Sequence, residues 1–156
     1  MTPLDRIAPA FVDMAHSIVW ASVATIGPDE RPRTRILHPI WAWDGAALTG
    51  WIATVPTPLK RAHIATHPDA SLSYWSTNHD TCSADCAVDW VFDDEARAAV
   101  WDRLVNGPAP VGYDPAIIPQ WAGGPTSPDF AAWRLTPHRL RVMPGTVMTQ
   151  GTGQVL

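Results

Sequence analysis

Apolar residues recur at helical spacing near the start of the chain and again in its second half. The first set predicts a helix over 3–15 and consists of Leu4, Ile7, Ala8, Phe11 and Met14. Residues 93–105 predict another helix, with acidic residues in its first turn and an apolar face made by Ala96, Ala99, Val100 and Leu104. A shorter helix is predicted to begin after Thr57, a good N-cap residue, and to end near His67, because a proline follows.

Between these helices, β-branched and aromatic residues follow patterns typical of strands. Six strands are predicted, at residues 17–27, 31–43, 46–54, 70–76, 86–92 and 130–144. Asp44-Gly45 predicts a tight hairpin between the second and third strands. Six antiparallel strands with two or three short helices indicate a mainly β fold, a small β-barrel, because closure removes exposed strand edges. We expect a single domain over residues 1–156 that ends in a loose tail or a short edge strand.

Composition fits a compact globular protein, since 46% of the 156 residues are hydrophobic and 17% are charged. The formal net charge is −4, and the chain has no broad basic surface that would suit a phosphate backbone. We therefore expect no nucleic-acid partner. Because no apolar run is long enough to span a membrane and no signal peptide is visible, we also expect no membrane segment and a cytoplasmic location.

Two groups of possible metal ligands are incomplete. Cys82 and Cys86 lie near His79, but their spacing is wrong for the commonest zinc sites and a fourth ligand is missing. His63 and His67 share a helix face without the glutamate of a zinc-protease motif. We therefore expect two ordinary thiols and no metal site.

The only lysine of the chain, Lys60, lies in the first turn of the predicted helix that begins after Thr57, and Arg61 follows it. Cations are mildly unfavourable at this end of a helix, whereas anions bind there well. Thr54 and Thr57 add hydroxyl groups nearby. A phosphate at this turn would reverse the unfavourable local electrostatics.

The second predicted strand supplies further positive charge. Arg33 and Arg35 alternate with Thr34, so both arginines face the same side of the sheet. Two guanidinium groups on one face repel each other unless an anion or carboxylates lie between them. The residues alone leave two interpretations open: a phosphate site, or side chains that reach solvent or pair with Asp29 and Glu30.

Several segments resemble the pyridoxamine 5′-phosphate oxidase-like family of split β-barrels, which are flavin- and deazaflavin-dependent proteins. The segments are PRTRILHPI at 32–40, DG at 44–45, LTGWIAT at 48–54, PLKRAHIATHPDASLSYW at 58–75 and RLTPHRLRV at 134–142. The resemblance covers residues 17–76 well and is weaker through 86–105. It implies a six-stranded antiparallel split β-barrel of the FMN-binding type.

The resemblance also implies roles for individual residues. Arg35 and Lys60 match the two cations that hold the cofactor phosphate. The backbone beside the isoalloxazine ring corresponds to Ile36 and Leu37, and the strand beside the ribityl chain and phosphate corresponds to Trp51, Ile52, Ala53 and Thr54. With their neighbours Arg33, Thr57 and Arg61, these residues form the predicted cofactor site.

The function implied is that of a flavin-dependent oxidoreductase that transfers hydride to or from an unidentified small molecule. FMN is the first choice of cofactor, and the deazaflavin F420 is the alternative, for which Arg31, Arg33, Arg35 and Arg61 would line a basic groove. Family members are homodimers with the cofactor at the interface, so a homodimer is expected here. A flavin- or haem-binding protein without turnover and an interaction module with an empty barrel are further alternatives. No catalytic residue is identified.

Two departures from the family concern the substrate. The chain after Arg141 lacks the R-x-H motif that grips the substrate in pyridoxamine-phosphate oxidases proper, so pyridoxamine phosphate is not the expected substrate. The proline-rich segment 106–129 forms a long loop, and such loops are usually functional or cover something. Tyr113, Trp121 and His38 are candidate ring contacts, for which ordinary packing is the alternative interpretation.

Overall fold

The computed structural model describes residues 3–156, so the first two residues of the predicted domain lie outside the described part. The elements in chain order are α1 (Pro3–Ile18), β1 (Ala21–Ile26), β2 (Pro32–Leu37), β3 (Pro39–Trp43), β4 (Leu48–Thr54), α2 (Pro58–Thr66), β5 (Asp69–Trp75), β6 (Thr81–Val91), α3 (Asp94–Val105), β7 (Ala131–Met143) and α4 (Gly145–Gln150). Two short 3₁₀ turns, Pro115–Ile117 and Pro119–Trp121, lie between α3 and β7. The predicted mainly β fold and its three longer helices are confirmed.

The strands form one seven-stranded antiparallel sheet in the order β2-β1-β5-β6-β7-β4-β3. The predicted number of six strands is wrong because the long strand expected at 31–43 is divided at His38. Its two halves pair with different neighbours, β2 with β1 and β3 with β4. Pro39 has no N–H with which to continue the ladder across the break.

The predicted closure into a barrel is not confirmed, since β2 and β3 are the two edges of the sheet and no pairing joins them in residues 3–156. These edge strands are nevertheless consecutive in the chain, with His38 alone between them. The sheet must therefore curve until one end of each edge lies beside the other. This curvature brings the start of β3 and the end of β2 to one place, where the candidate site lies.

The main hydrophobic core lies between α1 and the concave sheet. Phe11 of α1 is fully buried and packs edge-on against Trp41, with the ring centroids 4.9 Å apart. The indole N–H of Trp41 donates a hydrogen bond of 2.8 Å to the hydroxyl of Tyr74, which satisfies both polar groups inside the core. Helix α1 extends to Ile18, so β1 is shorter than the strand predicted at 17–27.

A second, smaller core joins α3 to the proline-rich segment. Its buried residues are Ile40, Val100, Leu104, Val111, Trp121, Phe130 and Ala132. The indole N–H of Trp121 donates to the backbone carbonyl of Asp129 at 2.8 Å, and Asp93 caps the start of α3. The segment 106–129 is therefore packed against the sheet rather than loose.

The C-terminal residues depart from the predicted tail or edge strand. They form α4, and Leu156 then exchanges two backbone hydrogen bonds of 2.9 Å with Val142. Gly145 at the start of α4 lies against the backbone of Asn78, where a side chain would have no room. Among residues 3–156, no helix has the length and apolar character needed to cross a membrane.

Candidate functional site

A cleft of about 520 Å³ opens where β2 meets β3, beside the end of β4, the start of α2 and the proline-rich segment. Its lining consists of Trp20, Ile36, Leu37, His38, Ala53, Thr54, Val55, Lys60, Tyr113, Ile117, Ile118 and Trp121. Most of these side chains are apolar, and Lys60 is the one charged group that lines the cleft within the described residues. The cleft thus has an extended apolar wall and a positive end.

Helix α2 holds Lys60 at that positive end. Pro58 occupies the first turn, and the hydroxyl of Thr57 accepts a hydrogen bond of 3.3 Å from the backbone N–H of Lys60, so the helix begins where the sequence predicts. The Lys60 ammonium donates to Thr54 Oγ1 at 2.7 Å and to the carbonyl of Val55 at 3.3 Å. Both partners are neutral. Partial burial, and then the charge of Arg35, lower the pKa of Lys60.

Arg35 is a second cation without a carboxylate partner in residues 3–156. Its Nη1 donates to the hydroxyl of Thr25 at 2.8 Å, which is its one hydrogen bond in the described structure. Burial lowers the pKa of Arg35, and the nearby charge of Arg33 acts in the same direction. Lys60 and Arg35 therefore repel each other across a partly buried space that holds no compensating negative charge from the described chain.

Arg33 differs from Arg35 although both lie on the same face of β2. Asp29 accepts two hydrogen bonds from the Arg33 guanidinium, at 3.2 and 3.0 Å, and the hydrogen bond from Arg33 lowers the pKa of the Asp29 carboxyl. Arg33 thus pairs with Asp29, one of the arrangements that the sequence left open, whereas Arg35 has no carboxylate partner in residues 3–156. Glu30 lies near His67 rather than near an arginine, with the closest atoms 3.3 Å apart.

A buried histidine contacts Arg33 directly and Arg35 through Thr25. His63 of α2 is fully buried, with Nδ1 2.8 Å from Thr25 Oγ1 and Nε2 3.5 Å from Arg33 Nη1. Burial, followed by the charges of Arg35 and Arg33, lowers the pKa of His63. The imidazole is therefore neutral near pH 7 and adds no further positive charge to the site.

The structure brings only part of the predicted site to the cleft. Ile36, Leu37, Ala53, Thr54 and Lys60 line it, and Arg35 lies close enough for its charge to affect Lys60. The remaining predicted residues are elsewhere.

Ile52 is fully buried in the main core, and the Trp51 ring lies under the guanidinium of Arg103 at 3.9 Å. The hydroxyl of Thr57 is used as the helix cap. Arg61 turns away to lie over the ring of Phe92 at 4.6 Å. Arg33, which is paired with Asp29, does not line the cleft either.

The proline-rich segment supplies the opposite wall of the cleft. The rings of His38 and Tyr113 stack with centroids 4.8 Å apart, and Trp20 lies 5.0 Å from His38. Burial raises the pKa of Tyr113 to about 12 and lowers that of His38. Tyr113, Trp121 and His38, the three candidate ring contacts of the sequence, all line the cleft.

Sequence reasoning missed Trp20, Val55, Ile117 and Ile118 as lining residues. The pattern at 17–27 predicts a strand for Trp20. The two adjacent isoleucines at 117–118, within an otherwise irregular segment, are the signal that indicates an apolar wall. Trp20, Ile36 and Ile117 are 58, 64 and 71% exposed, and all three line the same cleft. They form an apolar rim around the cleft.

Residues 3–156 contain no group of three or more histidine, cysteine or acidic side chains arranged to hold a metal ion. Cys82 and Cys86 are free and buried in β6, and burial raises the pKa of each thiol to about 12.

No protein-family model and no curated protein matches the chain. Solved structures do match it. One is a protein from Clostridium acetobutylicum related to general stress protein 26 of Bacillus subtilis and assigned to the pyridoxinephosphate oxidase family. It is 12% identical, with a TM-score of 0.67 over 92% of this chain and 89% of the other.

A second match is a pyridoxamine 5′-phosphate oxidase-related, FMN-binding protein from Nostoc punctiforme, which is 20% identical, with a TM-score of 0.64 over 92% of this chain and 86% of the other. A third is an F420 reductase that is 18% identical, with a TM-score of 0.57 over 83% of this chain and 94% of the other. The chain therefore has the fold of the pyridoxamine 5′-phosphate oxidase-like proteins.

Proposed function

We propose that this protein is a flavin-dependent oxidoreductase that binds FMN in the cleft and transfers hydride between the flavin ring and a small molecule. The observation that carries the proposal is the pair Arg35 and Lys60, two cations without a counter-carboxylate in the described chain. Lys60 lies at one end of an apolar cleft of about 520 Å³, and Arg35 is close enough for its charge to act on Lys60. A ligand with a phosphate at one end and a flat apolar ring at the other matches both features.

The positive end fits a phosphate chemically. Partial burial disfavours the charged forms of Arg35 and Lys60, and their mutual repulsion adds to that cost. A phosphate between them would offset both effects, with a planar guanidinium on one side and a compact ammonium on the other. The N-terminal turn of α2 adds the positive end of the helix dipole.

The apolar wall fits an aromatic ring. Ile36 and Leu37 on one side and Ile117, Ile118 and Trp121 on the other form a slot without charged groups in the described chain. Bound flavin would supply the hydride chemistry itself, and the chain's residues would bind and orient it and exclude water. That division of labour agrees with a cleft whose titratable side chains are limited to His38, Lys60 and Tyr113 in the described residues.

The charges favour FMN over the deazaflavin F420, which carries an acidic tail in addition to its phosphate. An acidic tail would require further free cations near the cleft. Of the four arginines that would line a basic groove, Arg33 is already paired with Asp29 and Arg61 lies over Phe92 on another surface, which leaves Arg31 and Arg35. Binding of F420 remains the second candidate because the fold is shared with an F420 reductase.

Cofactor titration tests the proposal. The absorption spectrum of the purified protein would be recorded first, and the apo form would then be titrated with FMN, F420 and riboflavin, which lacks the phosphate. We expect FMN to bind at micromolar concentration or tighter, and more tightly than riboflavin. Failure of both FMN and F420 to bind would overturn the proposal. Anaerobic reduction of the bound flavin by NAD(P)H, followed by reoxidation with a test acceptor, would distinguish an enzyme from a binding protein.

We also propose a homodimer with the cleft at its interface. The support is the apolar rim of Trp20, Ile36 and Ile117, whose exposure a second copy of the chain would remove. Analytical ultracentrifugation with and without FMN would test this. A strictly monomeric protein in both conditions would contradict it, and substitution of Ile36 by Glu is expected to shift a dimer towards monomer.

A further inference from the structure

We infer that Thr25 and His63 form a positioning pair that fixes the Arg35 guanidinium for the cofactor phosphate. The inference rests on the proposed function and adds to it two residues that belong neither to the predicted cofactor site nor to the lining of the cleft. Thr25 lies on β1 and His63 on α2, so the pair joins the sheet to the helix that carries Lys60.

The hydrogen-bond directions follow from the donor groups. Arginine can only donate, so Thr25 Oγ1 accepts the 2.8 Å hydrogen bond from Arg35, and His63 Nε2 faces a donor on Arg33 at 3.5 Å. Because Nε2 faces a donor, it carries no proton, and the single proton of neutral His63 is therefore on Nδ1. The Nδ1–H then donates to Thr25 Oγ1 at 2.8 Å. His63 thereby holds the threonine oxygen in place, and the oxygen holds Arg35.

Burial makes this arrangement rigid. Thr25 is 1% exposed and His63 is fully buried, so the hydrogen bond between them is shielded from water, and the bond from Arg35 is part-buried. Both groups are polar and fully enclosed, and each would lose a partner if the other were removed.

The pair also prevents Arg35 from competing with Arg33 for the Asp29 carboxylate. Arg33 and Arg35 lie on the same face of β2. Arg33 donates two hydrogen bonds to the Asp29 carboxylate, one to each oxygen. A freely rotating Arg35 side chain would gain most by joining that carboxylate or by extending into solvent. The bond to Thr25 keeps it beside Lys60 without adding negative charge, which leaves both cations available to an anion.

Substitution of Thr25 tests the pair directly. Thr25→Val keeps the shape and removes the hydroxyl, whereas Thr25→Ser keeps it. Dissociation constants would be measured for FMN and for riboflavin. We expect Thr25→Val to weaken FMN binding by about tenfold and to leave riboflavin binding within about twofold, because only FMN carries the phosphate. Thr25→Ser should stay close to wild type. A merely structural role for Thr25 would weaken both ligands equally.

Substitution of His63 provides the second test. His63→Asn retains a side-chain donor near the Nδ1 position and is expected to keep most of the preference for FMN over riboflavin, whereas His63→Leu is expected to lose it. His138→Asn on the exposed face of β7 is the matched control, since His138 is remote from the cleft lining and lies 3.7 Å from Asp69. An unchanged FMN-to-riboflavin ratio in both Thr25→Val and His63→Leu would overturn the inference while leaving the proposed function intact.

A measurement on the wild-type protein covers the case in which these variants do not fold. Arginine side-chain ¹⁵N NMR reports rotation of each guanidinium, and we expect slow rotation for Arg35 in the apo protein because Thr25 holds it. Fast rotation of Arg35 would overturn the inference without any substitution. If wild-type protein binds no FMN at all, the proposed function fails, and this inference fails with it.

Discussion

Lys60 is the only lysine of the chain, and its ammonium contacts only neutral oxygens. A half-buried cation of this kind contributes little to folding, since burial disfavours its charge and no carboxylate in residues 3–156 compensates it. Arg35 likewise has no carboxylate partner in the described residues and donates to a neutral hydroxyl. Arrangements that lower stability without a visible structural gain are characteristic of binding sites.

Removal of either cation is expected to weaken FMN selectively. Arg35→Gln and Lys60→Met should each raise the FMN dissociation constant by about 10- to 150-fold, the range for one hydrogen bond between charged groups. Riboflavin binding should change little. Arg139→Gln is the matched control, because Arg139 is exposed on β7 near Asp85, 3.6 Å away. Equal losses for FMN and riboflavin would contradict a phosphate site.

Arg61→Gln tests whether Arg61 belongs to the cofactor site, as the sequence predicts, or lies outside it, as its contact with Phe92 indicates. Because Arg61 lies over Phe92, we expect a smaller loss of FMN affinity than for Lys60→Met. A loss as large as that of Lys60→Met in the same titration would return Arg61 to the site.

The two thiols are expected to be inert in the folded protein. Burial raises the pKa of Cys82 and of Cys86 to about 12, so the reactive thiolate is scarce at neutral pH. A colorimetric thiol reagent should therefore react slowly with native protein and should titrate both cysteines after unfolding in guanidinium chloride. Rapid native labelling of either residue would show that β6 opens more readily than its packing indicates.

In the proposed function, the first turn of helix α2 has both a structural and a binding role. Thr57 caps its N-terminus, Lys60 follows in the first turn, and His63 faces inward to Thr25. The buried side chains of the helix are His63 and Ile64. Its first turn therefore depends on the cap for stability, and the position of Lys60 depends on that turn.

Loss of the Thr57 cap should affect stability and binding together. Thr57→Ala is expected to lower the free energy of unfolding by about 1 kcal/mol, the usual value for an N-cap, and to weaken FMN binding. Asp93→Ala removes the corresponding cap of α3 and serves as the control, with a similar loss of stability and unchanged FMN affinity. Urea unfolding and FMN titration measure the two effects. A Thr57→Ala variant with unchanged stability would contradict the role of the cap.

The sheet as a whole explains why residues far apart in the chain meet at the cleft. Its edge strands β2 and β3 are joined through His38, and the proline-rich segment packs over the same end. Three histidines are partly or fully buried in the fold: His16 on α1, His38 between β2 and β3, and His63 on α2. Burial lowers the pKa of each below the ordinary value of 6.5.

Stability is expected to fall as the solution becomes mildly acidic. The unfolded chain takes up protons on these histidines near pH 6.5, whereas the folded protein does so only at lower pH. The free energy of unfolding should therefore be highest above pH 6.5 and should decrease from about pH 7 to about pH 5. Urea midpoints across this range measure the effect, and His63→Asn should reduce the slope. A flat profile would show that the histidines are not held neutral by the fold.

Much of the fold follows from local patterns. The helices α1, α2 and α3 and most strands lie within a few residues of the predicted ranges, because periodicity, caps and the hairpin signal act within a few neighbouring residues. The predictions that failed depend on distant partners. The division of the strand at His38 arises because its halves pair with different strands, and α4 forms where the chain packs against Asn78 and Asp80.

The same distinction applies to the candidate site. The sequence alone determined that a lysine begins a helix after a threonine cap and that two arginines share a strand face, since both follow from spacing along one element. Only the tertiary structure decided which cations are free. Arg61 meets Phe92, Thr25 meets both His63 and Arg35, and the wall at 117–118 comes from a remote segment. Whether a charge finds a partner depends on contacts between distant residues, and those contacts exist only once the sheet has curved.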